Sequence, residues 1–416
     1  MSEDRPASLW LGRTIALLGI MAVALSLRLA VAAISPIIDL ISVDIPLTSV
    51  GIGLIGALPP IVFALSGFFA PPVARRLGLE AALVLAIALM IVGHLLRAVA
   101  DNYPVLMIGS MITLLGMGIG NVLLPPAVKR YFPDRIGIVT ASYATLLSVS
   151  TAVPALLSAP LADIGGWRLS LGIWSASATI AIVPWIILWT RHRQSVTQAA
   201  AAAADDDAPE VEVAPPTVVG RMWRSPVAVA ITVTFAVSSL NAYAAFAWLP
   251  EILSDQTGMS SLDAGIMLSI FSFAGFPSSI IAPILVARLK NVGWIVFAGV
   301  AFFVLGYLGL IIAPGTATLL WVILIGLGPI LFPVCLVLIN SRTRTHTGSV
   351  ALSGFVQGIG YTVGALGPLV VGILHDVSGG WTLPLVFLLA TALAGIGSAI
   401  ALRSRRYVED ELHAAS

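Results

Sequence analysis

Apolar runs of about 20 residues recur along this chain and leave it few ways to fold. They cover roughly 13–38, 49–72, 80–100, 104–128, 136–161, 168–190, 226–249, 262–286, 292–313, 316–339, 348–374 and 382–402, six before residue 191 and six after residue 225. An α-helix rises about 1.5 Å per residue, so each run crosses a hydrocarbon core about 30 Å thick, whereas a barrel strand needs about half that length. With 58% hydrophobic residues, 10% charged residues and a mean hydropathy of +1.02, the composition lies far from that of soluble domains. The fold class expected is an all-α membrane protein with twelve transmembrane helices, embedded in a lipid bilayer.

Basic residues supply an independent check on the number of spans, because Lys and Arg gather in cytoplasmic loops. With twelve spans, one side receives all the Lys and Arg residues except Arg28, Arg97 and Arg168, including Arg75, Arg76, Lys129, Arg130, Arg342 and Arg344. The opposite loops carry Asp44, Asp101, Asp163, Glu251, Asp255, Asp263 and Asp376. An odd number of spans would scatter this bias, so the count is even and both termini are expected in the cytoplasm, with the chain multi-pass in the plasma membrane. The net charge of +1 supplies no one-sign field for nucleic acid.

The two sets of six spans repeat. Asp163 with Gly165-Gly166-Trp167 recurs as Asp376 with Gly379-Gly380-Trp381, and Val73-Ala74-Arg75 recurs as Val286-Ala287-Arg288, at offsets of 213 or 214 residues. Residues 1–193 are expected to form an N-terminal six-helix half and residues 226–416 a C-terminal half. Residues 194–225, with an alanine run, Asp205-Asp206-Asp207 and several prolines, read as a cytoplasmic linker. The offset carries position 28 to Asn241, so Arg28 and Asn241 are expected to face each other across a pseudo-twofold axis.

Arg28 lies mid-span, where an ionised guanidinium costs about 2.5–3.5 kcal/mol on insertion scales. His94 and Arg97 are the other titratable groups within spans, and no carboxylate lies near a span centre. A bound anion would neutralise Arg28, and a planar guanidinium suits small planar anions or carboxylates. The other reading has Arg28 bonding neighbouring helices. Thr234, Ser238, Asn241, Ala245 and Trp248 form a polar stripe on the seventh span, which either lines a hydrated cavity or bonds a neighbouring helix. Tyr243 falls off that stripe unless the helix breaks. Ser353, Gln357 and Tyr361 share a face of the eleventh span. Arg97 is expected to snorkel outward to Asp101, four residues on, and Asn121 to serve helix packing.

Metal-ligand spacings, phosphate-cradling loops and activated nucleophiles are missing from the sequence, so no cofactor, no metal and no enzyme activity are expected. ATP-driven work by this chain alone is excluded on the same ground, and energy must come from a gradient.

The repeat, with its charge-rich second-to-third loop, resembles the major facilitator superfamily across nearly the whole chain. The loop Pro72-Val73-Ala74-Arg75-Arg76-Leu77-Gly78 keeps a basic residue and a glycine but carries Arg75 where that superfamily usually has Asp. Trp248-Leu249-Pro250, Leu352-Ser353-Gly354 with Gln357, Gly360-Tyr361 and Gly367-Pro368, and Arg28 ahead of Ser35-Pro36 look like the cyanate and 2-nitroimidazole transporter family. The resemblance implies two halves rocking about a central site. The expected function is secondary active transport of a small anion, cyanate-like or a small carboxylate, by a monomer, with Arg28, Asn241, Trp248, Gln357, Tyr361 and Tyr243 binding substrate. The alternatives are an efflux pump for small nitroaromatic or drug-like compounds, with Trp248 and Tyr361 stacking on the ligand, and, more remotely, a transporter-like membrane sensor.

Overall fold

A computed structural model describes residues 13–47, 49–203, 221–289 and 291–414. Among the described residues, twelve helices are long and apolar enough to cross a membrane. In the first half they run Thr14–Val31, Leu54–Leu77, Leu79–Ala98 and Tyr103–Tyr131, then a helix from Ile136 that reverses into a sixth. The reversal falls at Gly166, whose φ of 77° lies in the region open to glycine. In the second half the spans are Pro226–Thr257, Asp263–Arg288, Gly293–Ile312, Thr318–Ser341, His346–Ser378 and Thr382–Ala401. The sixth helix runs on to Ala203, into the stretch read as linker, and residues 204–220 of that stretch lie outside the described residues.

The repeat extends to individual hydrogen bonds. Trp167 Nε1 donates to Asp44 Oδ2 at 2.9 Å in the first half, and Trp381 Nε1 donates to Asp255 Oδ2 at 2.9 Å in the second. Each bond ties the end of a half's first helix to the turn before its last. Arg168 Nη1 adds a 2.6 Å bond to Asp44, which with Trp167 holds that exposed carboxyl below its ordinary range.

The halves meet most closely where the second span crosses the eleventh. Gly67 and Gly358 bring their backbones together, and a Cβ on Gly67 would overlap the Gly358 backbone. Close approach of this kind is how helices gain packing in lipid, where no hydrophobic force drives them together. Gly67→Val is therefore expected to destabilise the protein by about 1–3 kcal/mol or more through overpacking. Thermal unfolding of the purified protein checks this, with Gly265→Val as the tolerated control because nothing lies within 4 Å of its Cβ position. Equal melting of the two variants would count against a close seam.

Candidate functional site

Arg28 sits where the first span breaks. The Leu27 N–H reaches back to Ala24 O at 3.4 Å, and Arg28, at φ −124° and ψ −4°, gives its N–H to Ser150 Oγ of the fifth helix, 3.0 Å away. A side chain that accepts the freed backbone donor is a recognised cause of such a kink. Arg28 as a residue is half-buried, and its guanidinium turns toward the other half. Nη2 donates to Tyr361 Oη at 3.3 Å, and the Tyr243 hydroxyl also reaches the guanidinium. Cζ lies 5.1 Å from the Phe63 ring centroid and 6.0 Å from that of Phe332. Tyr361 closes the aromatic wall by packing on Phe63, Phe235 and Tyr243. Among the described residues no carboxylate forms a salt bridge with Arg28.

Below this wall a buried polar chain joins the halves. Asn121 Nδ2 donates to Tyr361 Oη at 2.8 Å and to Gln357 Oε1 at 3.0 Å. Gln357 Nε2 donates to Ser353 Oγ at 2.9 Å and to Asn121 O at 3.3 Å, and Ser353 Oγ donates to Val122 O at 2.6 Å. A phenol oxygen carries two lone pairs and one proton. In Tyr361 both lone pairs are engaged, by Arg28 and Asn121, which leaves its O–H to donate. The site therefore presents donors: a forked cation and a hydroxyl proton.

Of the residues singled out from sequence, Arg28, Tyr361, Gln357 and Tyr243 come together here. Asn241 does not face Arg28. It is fully buried, with Nδ2 donating to Val237 O at 2.8 Å and to Thr391 Oγ1 of the twelfth span at 3.3 Å. Thr234, on the same stripe, bonds Ser398 of the twelfth span. The stripe is a seam between helices. Because the seventh helix runs unbroken from Pro226 to Thr257, that seam faces the twelfth span and the off-stripe Tyr243 faces the centre. Trp248 likewise turns elsewhere, donating from Nε1 to Pro368 O at 2.8 Å and packing on Trp381.

Two further expectations are corrected. Asn121 is the hub of the buried polar chain as well as a packing residue. Arg97 does not snorkel to Asp101, because its helix ends at Ala98 and the i,i+4 register is lost before Asp101; the Asp101 carboxylate instead accepts from Asn102 Nδ2 at 2.6 Å. Phe63 and Phe332 carried no signal in the sequence that set them apart from other apolar residues, whereas a mid-span amide such as Asn121 did.

The sequence profile of the Major Facilitator Superfamily matches residues 17–365. The chain is 33% identical over 386 residues to the uncharacterised transporter YycB of Bacillus subtilis (strain 168), covering 92% of this chain and 91% of that protein. It is 30% identical over 381 residues to the 2-nitroimidazole transporter of Escherichia coli (strain K12), covering 90% and 91%. It is 23% identical over 305 residues to the cyanate transport protein CynX of the same organism, covering 73% and 75%. Its fold superposes on the proton:xylose symporter XylE with a TM-score of 0.74 at 12% identity, covering 97% of this chain and 98% of that one. With its paired six-helix halves and a family match running through most of its spans, the chain belongs to the Major Facilitator Superfamily.

Proposed function

We propose that this protein is a secondary transporter of a small anion, cyanate-like or a small carboxylate, and that Arg28 is the counter-charge for its substrate. The observation that supports this most is the Arg28 guanidinium itself: it sits between the halves with only neutral hydroxyls, those of Tyr361 and Tyr243, as its side-chain hydrogen-bond acceptors. A charge in that setting gains most from an anion that takes its donors. The Tyr361 proton supplies a further donor beside it. Because Arg28 belongs to one half and Tyr361 to the other, an anion that competes with Tyr361 for the guanidinium would alter how tightly the halves hold each other. Binding would thus bias the rocking of residues 1–193 against 226–416, joined by the linker 194–225. The charge bias of the loops supports an orientation with both termini in the cytoplasm, and the plasma membrane is the bilayer this reading assigns it. A monomer suffices, since both halves of the site come from one chain.

A second reading, export of small nitroaromatic compounds, draws on the aromatic rings around Arg28 and on the name of the 2-nitroimidazole relative. Counterflow in proteoliposomes with labelled formate, cyanate and 2-nitroimidazole separates the two. Exchange of the anions alone supports the first reading, exchange of the nitroimidazole alone replaces it with the second, and exchange of neither overturns both.

The central chain of Arg28, Tyr361, Asn121, Gln357 and Ser353 holds no group whose ordinary pKa lies between pH 5 and 8. Anion counterflow without an imposed proton gradient is accordingly expected to stay level from about pH 6 to pH 8. A tenfold change across that window, measured as initial exchange rate, would show that a titrating group controls the site.

A further inference from the structure

Two prolines stand side by side inside the fourth span, Pro125 and Pro126, and two more inside the second, Pro71 and Pro72. A proline within a helix brings no N–H, so the carbonyl four residues before it loses its ordinary partner. Pro125 and Pro126 thereby release Asn121 O and Val122 O, consecutive carbonyls in a buried stretch of the fourth span. A buried carbonyl needs a donor from somewhere else.

Both find one in the opposite half. Gln357 Nε2 donates to Asn121 O at 3.3 Å and Ser353 Oγ donates to Val122 O at 2.6 Å, from side chains one turn apart on the eleventh span. The second span releases Gly67 O through Pro71, and that carbonyl faces Gly354 closely enough that a Cβ there would lie 2.7 Å from it. The released carbonyls of two spans thus look onto Ser353, Gly354 and Gln357, on one side of a single helix of the other half. The repeat does not carry the device over: the 213-residue offset takes Pro125 and Pro126 to Leu338 and Ile339, which keep their N–H groups.

We propose that the paired prolines of the fourth span are a conformational latch. By withholding the helix's own donors they make Asn121 O and Val122 O depend on Gln357 and Ser353, and so set how readily the halves part at the end of the molecule that carries Lys129 and Arg342. The latch rests on the rocking of the two halves and not on which substrate is carried. Alanine at position 125 or 126 supplies the missing N–H, and the carbonyl then stays bonded whether the halves are together or apart. Parting becomes easier although nothing in the second half has changed, because only bonds that differ between two forms move their equilibrium.

Spin labels at Leu77→Cys and Ser341→Cys, in full-length Cys335→Ala protein in nanodiscs, report the separation. The two positions are exposed and end the second and tenth spans, one in each half. Pulsed double electron–electron resonance reads the distance between them. One hydrogen bond contributes a net factor of about five to such an equilibrium, so Pro126→Ala is expected to raise the ratio of long to short distances about fivefold. Ser353→Ala is expected to do the same while Pro126 is present and to add little beside Pro126→Ala, because Val122 O no longer needs the hydroxyl. Pro125→Ala with Gln357→Met is a second pair that decides the matter if Pro126→Ala does not fold. The latch is overturned if Ser353→Ala lengthens the distances equally in both backgrounds, or if the proline variants leave them unchanged while Lys129→Met lengthens them. Distances that Lys129→Met also leaves unchanged would overturn the rocking of the halves along with the latch.

Discussion

Arg28→Ala is expected to abolish transport while leaving a folded protein in the membrane. Hydrogen bonds to charged groups contribute about 1.5–3 kcal/mol each, so losing a forked pair to the substrate costs about 3–6 kcal/mol, a hundredfold or more in flux. Folding is spared because Arg28 spends little on structure: bonds to two neutral hydroxyls, Tyr361 at 3.3 Å and Tyr243, and ring contacts beyond 5 Å. Its N–H bond to Ser150 belongs to the backbone and survives the substitution. Removing a half-buried charge also offsets part of what is lost. Arg28→Lys restores the charge but not the fork, and a point charge on a flexible stem cannot hold the substrate and Tyr361 at once. It is expected to retain a tenth of wild-type exchange or less. Anion counterflow, read beside the melting midpoint of each variant, checks both. Exchange at the wild-type level in either variant would remove Arg28 from the site.

The particular residues show what a sequence of this kind makes legible. Hydropathy and the 213-residue offset carry position along the helices, and that position came through: twelve spans, paired halves, Arg28 and Tyr361 at a common level. Direction around a helix axis is another matter. Each residue turns the helix by about 100°, so two positions at the same depth can face opposite ways. Asn241 lies where the repeat puts the counterpart of Arg28, yet it faces the twelfth span because its own helix is unbroken whereas the first helix kinks at Arg28. Tyr243, two residues on, takes the inward direction instead. Arg97 shows the companion difficulty. Pairing with Asp101 required the helix to continue for three more residues than it does, and helix ends are what periodicity marks least well. Gln357 and Tyr361 were legible for a simpler reason: polar groups on one face of an apolar helix must bond something, and the nearest partner at that depth was Asn121.

Lys129→Met is expected to open the basic end of the molecule. The hydrogen bonds joining the halves run from Arg28 and Tyr361 down through Asn121, Gln357 and Ser353 to Lys129, which closes the series at the end of the fourth span. Lys129 Nζ donates across the seam to Asn340 O at 2.9 Å, to Thr343 Oγ1 at 2.8 Å and to Thr343 O. All three acceptors are neutral and lie in the opposite half, so the ammonium acts as a clamp whose loss leaves the rest of each half intact. Charge-assisted bonds in such a part-buried setting contribute about 2–3 kcal/mol together, which shifts the ratio of closed to open forms about 30- to 160-fold. A ligand or mutation can move such an equilibrium only by its differential effect on the two forms, and these bonds exist only while the basic end is closed. Ser353→Cys in a Cys335→Ala background reports the change, because position 353 is buried in the seam. Its labelling by a membrane-impermeant thiol reagent added from the basic side is expected to accelerate about 30-fold or more when Lys129→Met is introduced. Equal labelling with and without Lys129 would mean that the deeper contacts, Asn121 to Gln357 and Gly67 to Gly358, hold the halves together unaided.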